Sequence, residues 1–301
     1  MHDMTTLMET QLQIPALCPP RTTGTAFGCP RDFLDNRFVY TVISPRARGL
    51  SVGVNMNPDK FCNFDCVYCE VNRAEPAAES KLDVDVMVTE LEGTLELVHS
   101  GRIRQCPCYR SLPDDLLKLH HVTLSGDGEP TLSPNFAEAV EAVIHLRARR
   151  RFPFFKIVLV TNASGLDRSE IEAGLRLLTL RDEVWAKLEA GTQDYMNRLN
   201  KPGCTIEKVV SNILRLAQWR PVIIQSLFPA IKGEGPSASE VEAYVQRLKE
   251  LKDAGAQIPL VQIYSATRPT PHSGCGHLPL RTLSAMAKRV REVSGLTAEI
   301  F

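Results

Sequence analysis

The chain has 301 residues, 44% of them hydrophobic, which is enough to bury the core of one large α/β domain or of two ordinary ones. Its 35 basic and 35 acidic side chains cancel, so no overall field draws the protein toward nucleic acid or an anionic membrane surface. No segment reaches the roughly 18 apolar residues that a membrane helix needs, and no signal-peptide pattern opens the chain, so we expect no membrane association and a cytoplasmic location.

The sequence predicts an irregular N-terminal segment followed by strands and helices that alternate along the chain. Residues 1–47 contain many prolines and glycines and predict an irregular N-terminal extension. From residue 48 to residue 301, short apolar segments typical of buried strands alternate with helical stripes of apolar residues. Such alternation implies right-handed crossovers and a parallel sheet, and six units predict an α/β fold of the open or partial (β/α)6 barrel type. Residues 101–118 break the rhythm and are expected to form an inserted loop. The predicted strands are 51–56, 121–125, 156–161, 183–189, 221–228 and 259–265.

Three cysteines follow the first predicted strand directly, in the segment FCNFDCVYCE (61–70). In parallel α/β folds, ligands bind at the carboxyl ends of the strands, where Cys62, Cys66 and Cys69 fall. A structural zinc site usually has four ligands, so a zinc-binding interaction module is the weaker interpretation. An iron–sulfur cluster held by only three thiolates would keep one iron open for a substrate or cofactor.

The spacing C-x3-C-x-Tyr-C resembles the signature of the radical S-adenosylmethionine (SAM) superfamily. This resemblance implies a [4Fe–4S] cluster on the three cysteines, with the amino and carboxylate groups of SAM on the open iron. It implies reductive cleavage of SAM to a 5′-deoxyadenosyl radical, which abstracts hydrogen from an unidentified substrate, and an electron donor such as flavodoxin or a reductase. The family fold is a partial (β/α)6 barrel, and the aromatic residue before the last cysteine, here Tyr68, lies near adenine in the family.

A second motif, LSGDGEPTL (124–132), closes the second predicted strand. Its glycines permit close approach of the backbone to a ligand, and Glu129 can accept a hydrogen bond from an ammonium group. Alone, the segment could be a tight turn. In the family, a Gly-Gly-Glu segment at this place holds the methionine amino group of SAM, and the resemblance assigns Asp127, Gly128 and Glu129 to its three positions.

Charged and polar residues also end the later predicted strands. Alternation puts Lys187 and Glu189 on one face of the fourth strand, where they need a polar ligand or each other as partner. The resemblance assigns Lys187 to the SAM carboxylate and Glu189 to the ribose, and an internal ion pair is the alternative. Asn162, Ser226 and Tyr264 are further candidates for lining the cofactor site.

Segments between residues 48 and 270 also resemble a subgroup of small radical SAM oxidoreductases related to the wybutosine-synthesis tRNA enzyme. That enzyme carries a second cluster on three cysteines ahead of the SAM triad, whereas only two precede the triad here. The sequence leaves open whether the remaining cysteines form such a cluster. They are Cys18, Cys29, Cys106, Cys108, Cys204 and Cys275.

The substrate class also stays open between a small molecule, a peptide and tRNA. A run of arginines, Arg147 and Arg149 to Arg151, could contact RNA phosphates. Cations at the end of a helix are also favourable through the helix dipole, so a solvated helix end explains the same run. His272 and His277 are candidates for contacting the substrate, or for binding a metal with Cys275, and an exposed loop is the alternative.

Overall fold

The computed structural model describes residues 33–268, 270 and 274–301. Within these residues the α-helices are α1 (Val84–His99), α2 (Asp114–Leu117), α3 (Phe136–Ala148), α4 (Ser169–Leu177), α5 (Gln193–Leu199), α6 (Ile206–Ala217), α7 (Ala238–Asp253) and α8 (Leu280–Ser294). The strands are β1 (Val39–Ser44), β2 (Gly49–Asn55), β3 (Leu119–Ser125), β4 (Lys156–Thr161), β5 (Glu183–Lys187), β6 (Ile223–Leu227), β7 (Ala230–Ile231), β8 (Val261–Tyr264), β9 (Cys275–Gly276) and β10 (Ala298–Ile300).

The main sheet of the described chain has the strand order β1-β2-β3-β4-β5-β6-β8-β10 and curls into a half-barrel. The strands from β2 to β10 in this order are parallel to their neighbours, and β1 pairs antiparallel with β2. The prediction of a partial α/β barrel is therefore confirmed, and β2, β3, β4, β5, β6 and β8 coincide with the six predicted strands.

Two edge strands were not predicted. β1 lies within the stretch expected to be irregular, and β10 has only three residues. The turn between β1 and β2 reaches the far edge of the sheet, since Arg48 forms an ion pair with Glu299 of β10 at 3.1 Å. Beside it, the guanidinium of Arg46 lies 4.1 Å from the ring centre of Tyr264 in β8. These contacts link the two edges of the half-barrel.

The helices pack on the outer face of the sheet through apolar stripes. In α6, for example, Ile206, Val209, Ile213 and Leu216 are buried, and the hydroxyl of Thr205 caps the first turn by accepting from the backbone N–H of Lys208. The strand β2 is buried at every position, as expected for a strand covered on both faces. The sheet and its helices thus share one hydrophobic core.

Residues 101–118 contain short helical turns and pack as a small cap. Ile103, Cys106 and Tyr109 are buried in a second apolar cluster, and the hydroxyl groups of Tyr109 and Thr41 are hydrogen-bonded at 2.8 Å. None of the described helices combines the length and the apolar character that a membrane span needs.

Candidate cofactor site

The three cysteines of the predicted triad lie on the loop that follows β2. Cys62, Cys66 and Cys69 are half-buried free thiols, and all three line one cavity of about 160 Å³, which we call the cofactor pocket. The loop is held to the end of α5 by backbone hydrogen bonds, from Asp65 N–H to Asn200 O at 3.0 Å and from Val67 N–H to Leu199 O at 2.9 Å. The structure therefore brings the triad to the carboxyl edge of the sheet.

The thiols surround the pocket without converging on a single point. Among the described residues, no three His, Cys, Asp or Glu side chains lie close enough together to hold one metal ion. Burial raises the pKa of Cys66 to about 12 and also raises the pKa of Cys62. Without a metal these two thiols stay protonated at neutral pH, so binding of a metal centre would release their protons.

The glycine-rich loop after β3 packs directly against the cysteine loop. A Cβ atom on Gly128 would lie 1.9 Å from the carbonyl oxygen of Phe61, so only glycine fits there. The next residue, Glu129, donates its backbone N–H to the same oxygen at 3.0 Å. Asp127 is fixed from the other side, since its carboxylate accepts from the side-chain amide of Asn55 at 2.7 Å. The two loops therefore form one wall of the pocket.

Glu129 is a buried carboxylate with its own set of donors. It accepts hydrogen bonds from the backbone N–H of Thr131 and of Asn162, and from the hydroxyl groups of Thr131 and Thr161. Burial raises the pKa of Glu129, and these bonds partly offset the increase. The carboxylate lines the cofactor pocket and at the same time ties the loop after β3 to the end of β4.

Lys187 and Glu189 meet at the end of β5, as the ion-pair alternative proposed. The Lys187 ammonium lies 3.3 Å from Glu189 Oε1, and Glu189 also accepts from the Tyr68 hydroxyl and, at 2.7 Å, from the Asn200 amide. Burial alone would lower the pKa of Lys187, but its interactions with Glu189, Tyr264 and Cys66 together outweigh burial and raise that pKa. Burial raises the pKa of Tyr68. Lys187 and Tyr68 line the cofactor pocket, and Glu189 lies behind them.

The other predicted lining residues differ in placement. Asn162 lines the pocket and donates to Asn63 Oδ1 at 2.9 Å. Tyr264 is buried beneath Arg46 at the far edge of the sheet and does not line the pocket. Ser226 is not brought to the pocket either, because its hydroxyl faces α7, where it is hydrogen-bonded to the Tyr244 hydroxyl at 2.7 Å, and it donates to the carbonyl of Leu188 just after β5. Alternation along β6 turns the neighbouring Gln225 toward the concave face instead.

Sequence reasoning missed two polar residues that contact the triad. Arg73 donates to Cys69 Sγ at 3.5 Å, and Asn200 donates to Cys66 Sγ at 3.4 Å. Asn200 opens the segment NKP (200–202), which lies within residues 48–270, the part of the chain that resembles the subgroup of small radical SAM oxidoreductases. Arg73 follows the last cysteine by four residues, which was the available signal. Such partners orient ligands and adjust the properties of the centre they hold.

The remaining cysteines do not gather at a common site in the described chain. Cys106 is buried in the second apolar cluster with Cys108 beside it, Cys204 precedes α6, and Cys275 lies in β9. Cys18, Cys29 and His272 lie outside the described residues, and His277 is exposed.

Three of the arginines at the end of α3 and just after it have protein partners. Arg147 pairs with the buried Asp182, and Arg149 and Arg151 both pair with Glu92. At least three members of this run are therefore engaged in ion pairs within the chain.

Comparison with known proteins agrees with this geometry. The model of the radical SAM superfamily matches residues 56–248. A UPF0026 protein of Helicobacter pylori is 26% identical over 223 residues, which are 72% of this chain and 63% of that protein, and one of Synechocystis is 26% identical over 184 residues, 60% and 59% of the two chains. The chain thus spans about three fifths of the length of these curated relatives.

Solved structures share the fold at low identity. Streptococcus suis SuiB bound to S-adenosylmethionine has a TM-score of 0.56 at 14% identity and covers 85% of this chain and 52% of SuiB. TYW1 with a bound lysine-pyruvate adduct has a TM-score of 0.52 at 15% identity, with 85% and 84% of the two chains covered. Because the family model covers more than half of the chain, this protein belongs to the radical SAM superfamily.

Proposed function

We propose that this protein binds a [4Fe–4S] cluster through Cys62, Cys66 and Cys69 and uses SAM to abstract hydrogen from a substrate carbon. Enzymes of its superfamily use this cluster together with SAM, and the protein is a SAM-dependent enzyme by membership. The observation that carries the residue assignment is the cofactor pocket itself. All three thiols line it, and so do Gly128, Glu129 and Lys187.

The donor set fits this group. Three thiols that line one pocket without converging suit a polynuclear cluster, in which each thiolate binds a different iron, better than a single zinc ion with converging ligands. When bound and reduced, the cluster and SAM supply a 5′-deoxyadenosyl radical. The protein's own part is to bind, orient and exclude water.

We assign the side chains around the pocket to different parts of the SAM molecule. Lys187 presents a positive charge to the pocket and is our candidate for the SAM carboxylate, and Glu189 holds it in place through the ion pair. Backbone groups of Asp127 and Gly128, with the Glu129 side chain, are candidates for the methionine amino group, and Tyr68 and Asn162 for the nucleoside. The ribose contact of Glu189 stays a prediction.

Radical SAM enzymes need an electron donor, and we propose flavodoxin or a reductase for this role. The likeness to TYW1 concerns the fold, and three of the arginines that favoured tRNA are used within the chain. The geometry therefore supports a small-molecule or peptide substrate at least as well as tRNA.

Anaerobic purification tests the assignment. We expect brown protein with iron and sulfide, and release of 5′-deoxyadenosine after addition of dithionite and SAM. Cys66→Ala should abolish both. Cys204→Ala is the matched control, since this thiol is also half-buried but does not line the pocket. Colourless protein that holds stoichiometric zinc would support the interaction module instead.

A further inference from the structure

A second cavity, of about 150 Å³, lies against the concave face of the sheet next to the cofactor pocket. We call it the inner cavity. Every strand from β1 to β6 contributes to its wall, and Ser125 and Val160 line both this cavity and the cofactor pocket. A molecule held in the inner cavity would therefore adjoin the contents of the cofactor pocket without occupying the same space.

The described wall of the inner cavity contains two arginines and no carboxylate. Arg268 is paired with Glu70 at 3.1 Å. Arg46 differs, because its Nε atom is buried without a hydrogen-bond partner and it forms no ion pair within the described chain. A desolvated guanidinium donor without a partner is costly, and an anionic ligand would remove that cost.

Arg46 is also held in a defined position. Its guanidinium lies 4.1 Å from the ring centre of Tyr264 in β8, the strand beside the opposite edge of the half-barrel. Stacking uses the flat face of the guanidinium and keeps the N–H groups at its edge available for a carboxylate or phosphate. The neighbouring Arg48 is exposed and already paired with Glu299, so the two arginines of this turn have different surroundings.

His121 supplies a second uncommitted polar atom to the same cavity. Its Nδ1 is buried without a partner, and its ring packs edge-on against Trp185 with centres 5.5 Å apart. Burial lowers the pKa of His121 to about 4, so the imidazole is neutral at physiological pH. Four hydroxyl groups in the wall are engaged with each other, Ser51 with Thr123 at 2.7 Å and Tyr40 with Ser125 at 2.8 Å, and the Ser44 hydroxyl accepts from the Ala47 N–H at 3.3 Å.

From the positive wall and these two uncommitted atoms, we infer that the inner cavity binds the substrate and that this substrate carries an anionic group, a carboxylate or a phosphate, which Arg46 holds. The inference rests on the proposed function, because the inner cavity adjoins the radical source only if SAM occupies the cofactor pocket. The competing explanation is that Arg46 only fastens the two sheet edges together by packing on Tyr264. Packing alone would not make any property of the protein depend on added anions.

The test uses the iron-loaded, SAM-bound protein under anaerobic conditions. Inorganic phosphate and malonate are titrated separately at constant ionic strength, with chloride as the control salt, and binding is followed by calorimetry and by the thermal unfolding midpoint. Wild type is compared with R46Q, R46K and R48Q. R48Q is the matched control, since Arg48 lies on the same turn but outside the inner cavity.

We expect saturable binding of at least one anion to wild type and to R48Q, and about tenfold to hundredfold weaker binding to R46Q. R46K keeps the charge without the planar fork, so its affinity should lie between the two. The anion that binds more tightly distinguishes a phosphate from a carboxylate substrate. Iron content and SAM affinity of R46Q report whether the variant is folded.

Two results overturn the inference alone. One is equal anion binding by wild type and R46Q, and the other is the absence of saturable binding in a wild type that binds iron and SAM. A wild type that binds neither iron nor SAM overturns the proposed function, and this inference falls with it.

Discussion

The cofactor pocket and the inner cavity share a wall, but they differ in whether their buried polar groups have hydrogen-bond partners. In the cofactor pocket the carboxylates of Asp127 and Glu129 have partners from neighbouring strands and loops. In the inner cavity, Arg46 Nε and His121 Nδ1 are buried without any. Buried polar groups are nearly always satisfied, so such exceptions call for an explanation at a particular site.

This difference in hydrogen bonding suggests that the two cavities suit different kinds of ligand. The cofactor pocket is held in shape by bonds among its own residues, which suits a ligand that is the same for every member of a superfamily. The inner cavity keeps hydrogen-bonding capacity unused, which suits a ligand that supplies the missing partners itself. Experiments that remove one bond or one charge at a time can break or sharpen this contrast.

The largest effect is expected from Gly128→Ala. The added methyl would meet the Phe61 carbonyl at 1.9 Å and the Asn57 side chain at 2.6 Å, so the cysteine loop must move. We expect a loss of about 4 kcal/mol or more in the free energy of unfolding, together with loss of bound iron. Denaturant titration and iron analysis measure the two effects.

Gly93→Ala is the control for this substitution. Gly93 is an exposed residue of α1, and nothing lies within 4 Å of a Cβ placed there. Because alanine is the better helix former, we expect a gain of about 0.5 to 1 kcal/mol with full iron content. Retained iron in Gly128→Ala would show that the two loops are not rigidly joined.

A smaller but still large effect is expected from Glu189→Gln. The change leaves the half-buried Lys187 without its opposing charge, so we expect a loss of about 3 kcal/mol in stability, measured by denaturant titration. SAM affinity should also fall, since Lys187 would no longer be held. Glu242→Gln, which removes an exposed pair with Arg289, should have no measurable effect. If Glu189→Gln and Glu242→Gln changed the stability equally, the hydrogen bonds and ion pair around Glu189 would not stabilise the cofactor pocket.

The inner cavity gives a pH-dependent prediction. Burial lowers the pKa of His121 from 6.5 to about 4, with Glu183 opposing the shift and Lys156 and His120 adding to it. Below about pH 6.5, His121 is therefore protonated in the unfolded chain but stays neutral in the folded protein. The free energy of unfolding consequently decreases as the pH falls toward 4. We expect a loss of about 2 kcal/mol between pH 7 and pH 5.

His121→Gln should flatten this part of the pH profile, measured by urea unfolding at several pH values, whereas the exposed His145→Gln should leave it as in wild type. An unchanged profile in His121→Gln would mean that His121 is solvated, and the inner cavity would lose one of its two uncommitted atoms.

The sequence predicted what is contiguous along the chain. Six strands were recognised because strands buried on both faces appear as apolar runs, and the cysteine triad and the loop around Gly128 because each is one short segment. β1 and β10 were missed, since an edge strand shows its pairing only after the sheet has formed.

Contacts between residues far apart in the chain could not be predicted either. Asn200 contacts Cys66, and Arg46 contacts Tyr264, but no local sequence pattern indicates either contact. Ser226 does not line the cofactor pocket because neighbouring residues of a strand point to opposite faces of the sheet, and Gln225 is the one that faces the concave side.

The smallest expected effect concerns Arg73, whose guanidinium lies 3.5 Å from Cys69 Sγ. A positive charge beside a cluster favours the reduced, more negative state, so Arg73→Gln should lower the reduction potential of the cluster. Because Arg73 is partly exposed, solvent screens its charge, and we expect the potential to fall by about 60 mV for a one-electron step, which corresponds to about 1.4 kcal/mol. A redox titration followed by electron paramagnetic resonance measures the shift. Arg73→Lys should keep most of the potential because it keeps the charge. If both variants lowered the potential equally, the hydrogen bond to sulfur rather than the charge would be responsible, and the cofactor pocket would depend on geometry more than on electrostatics.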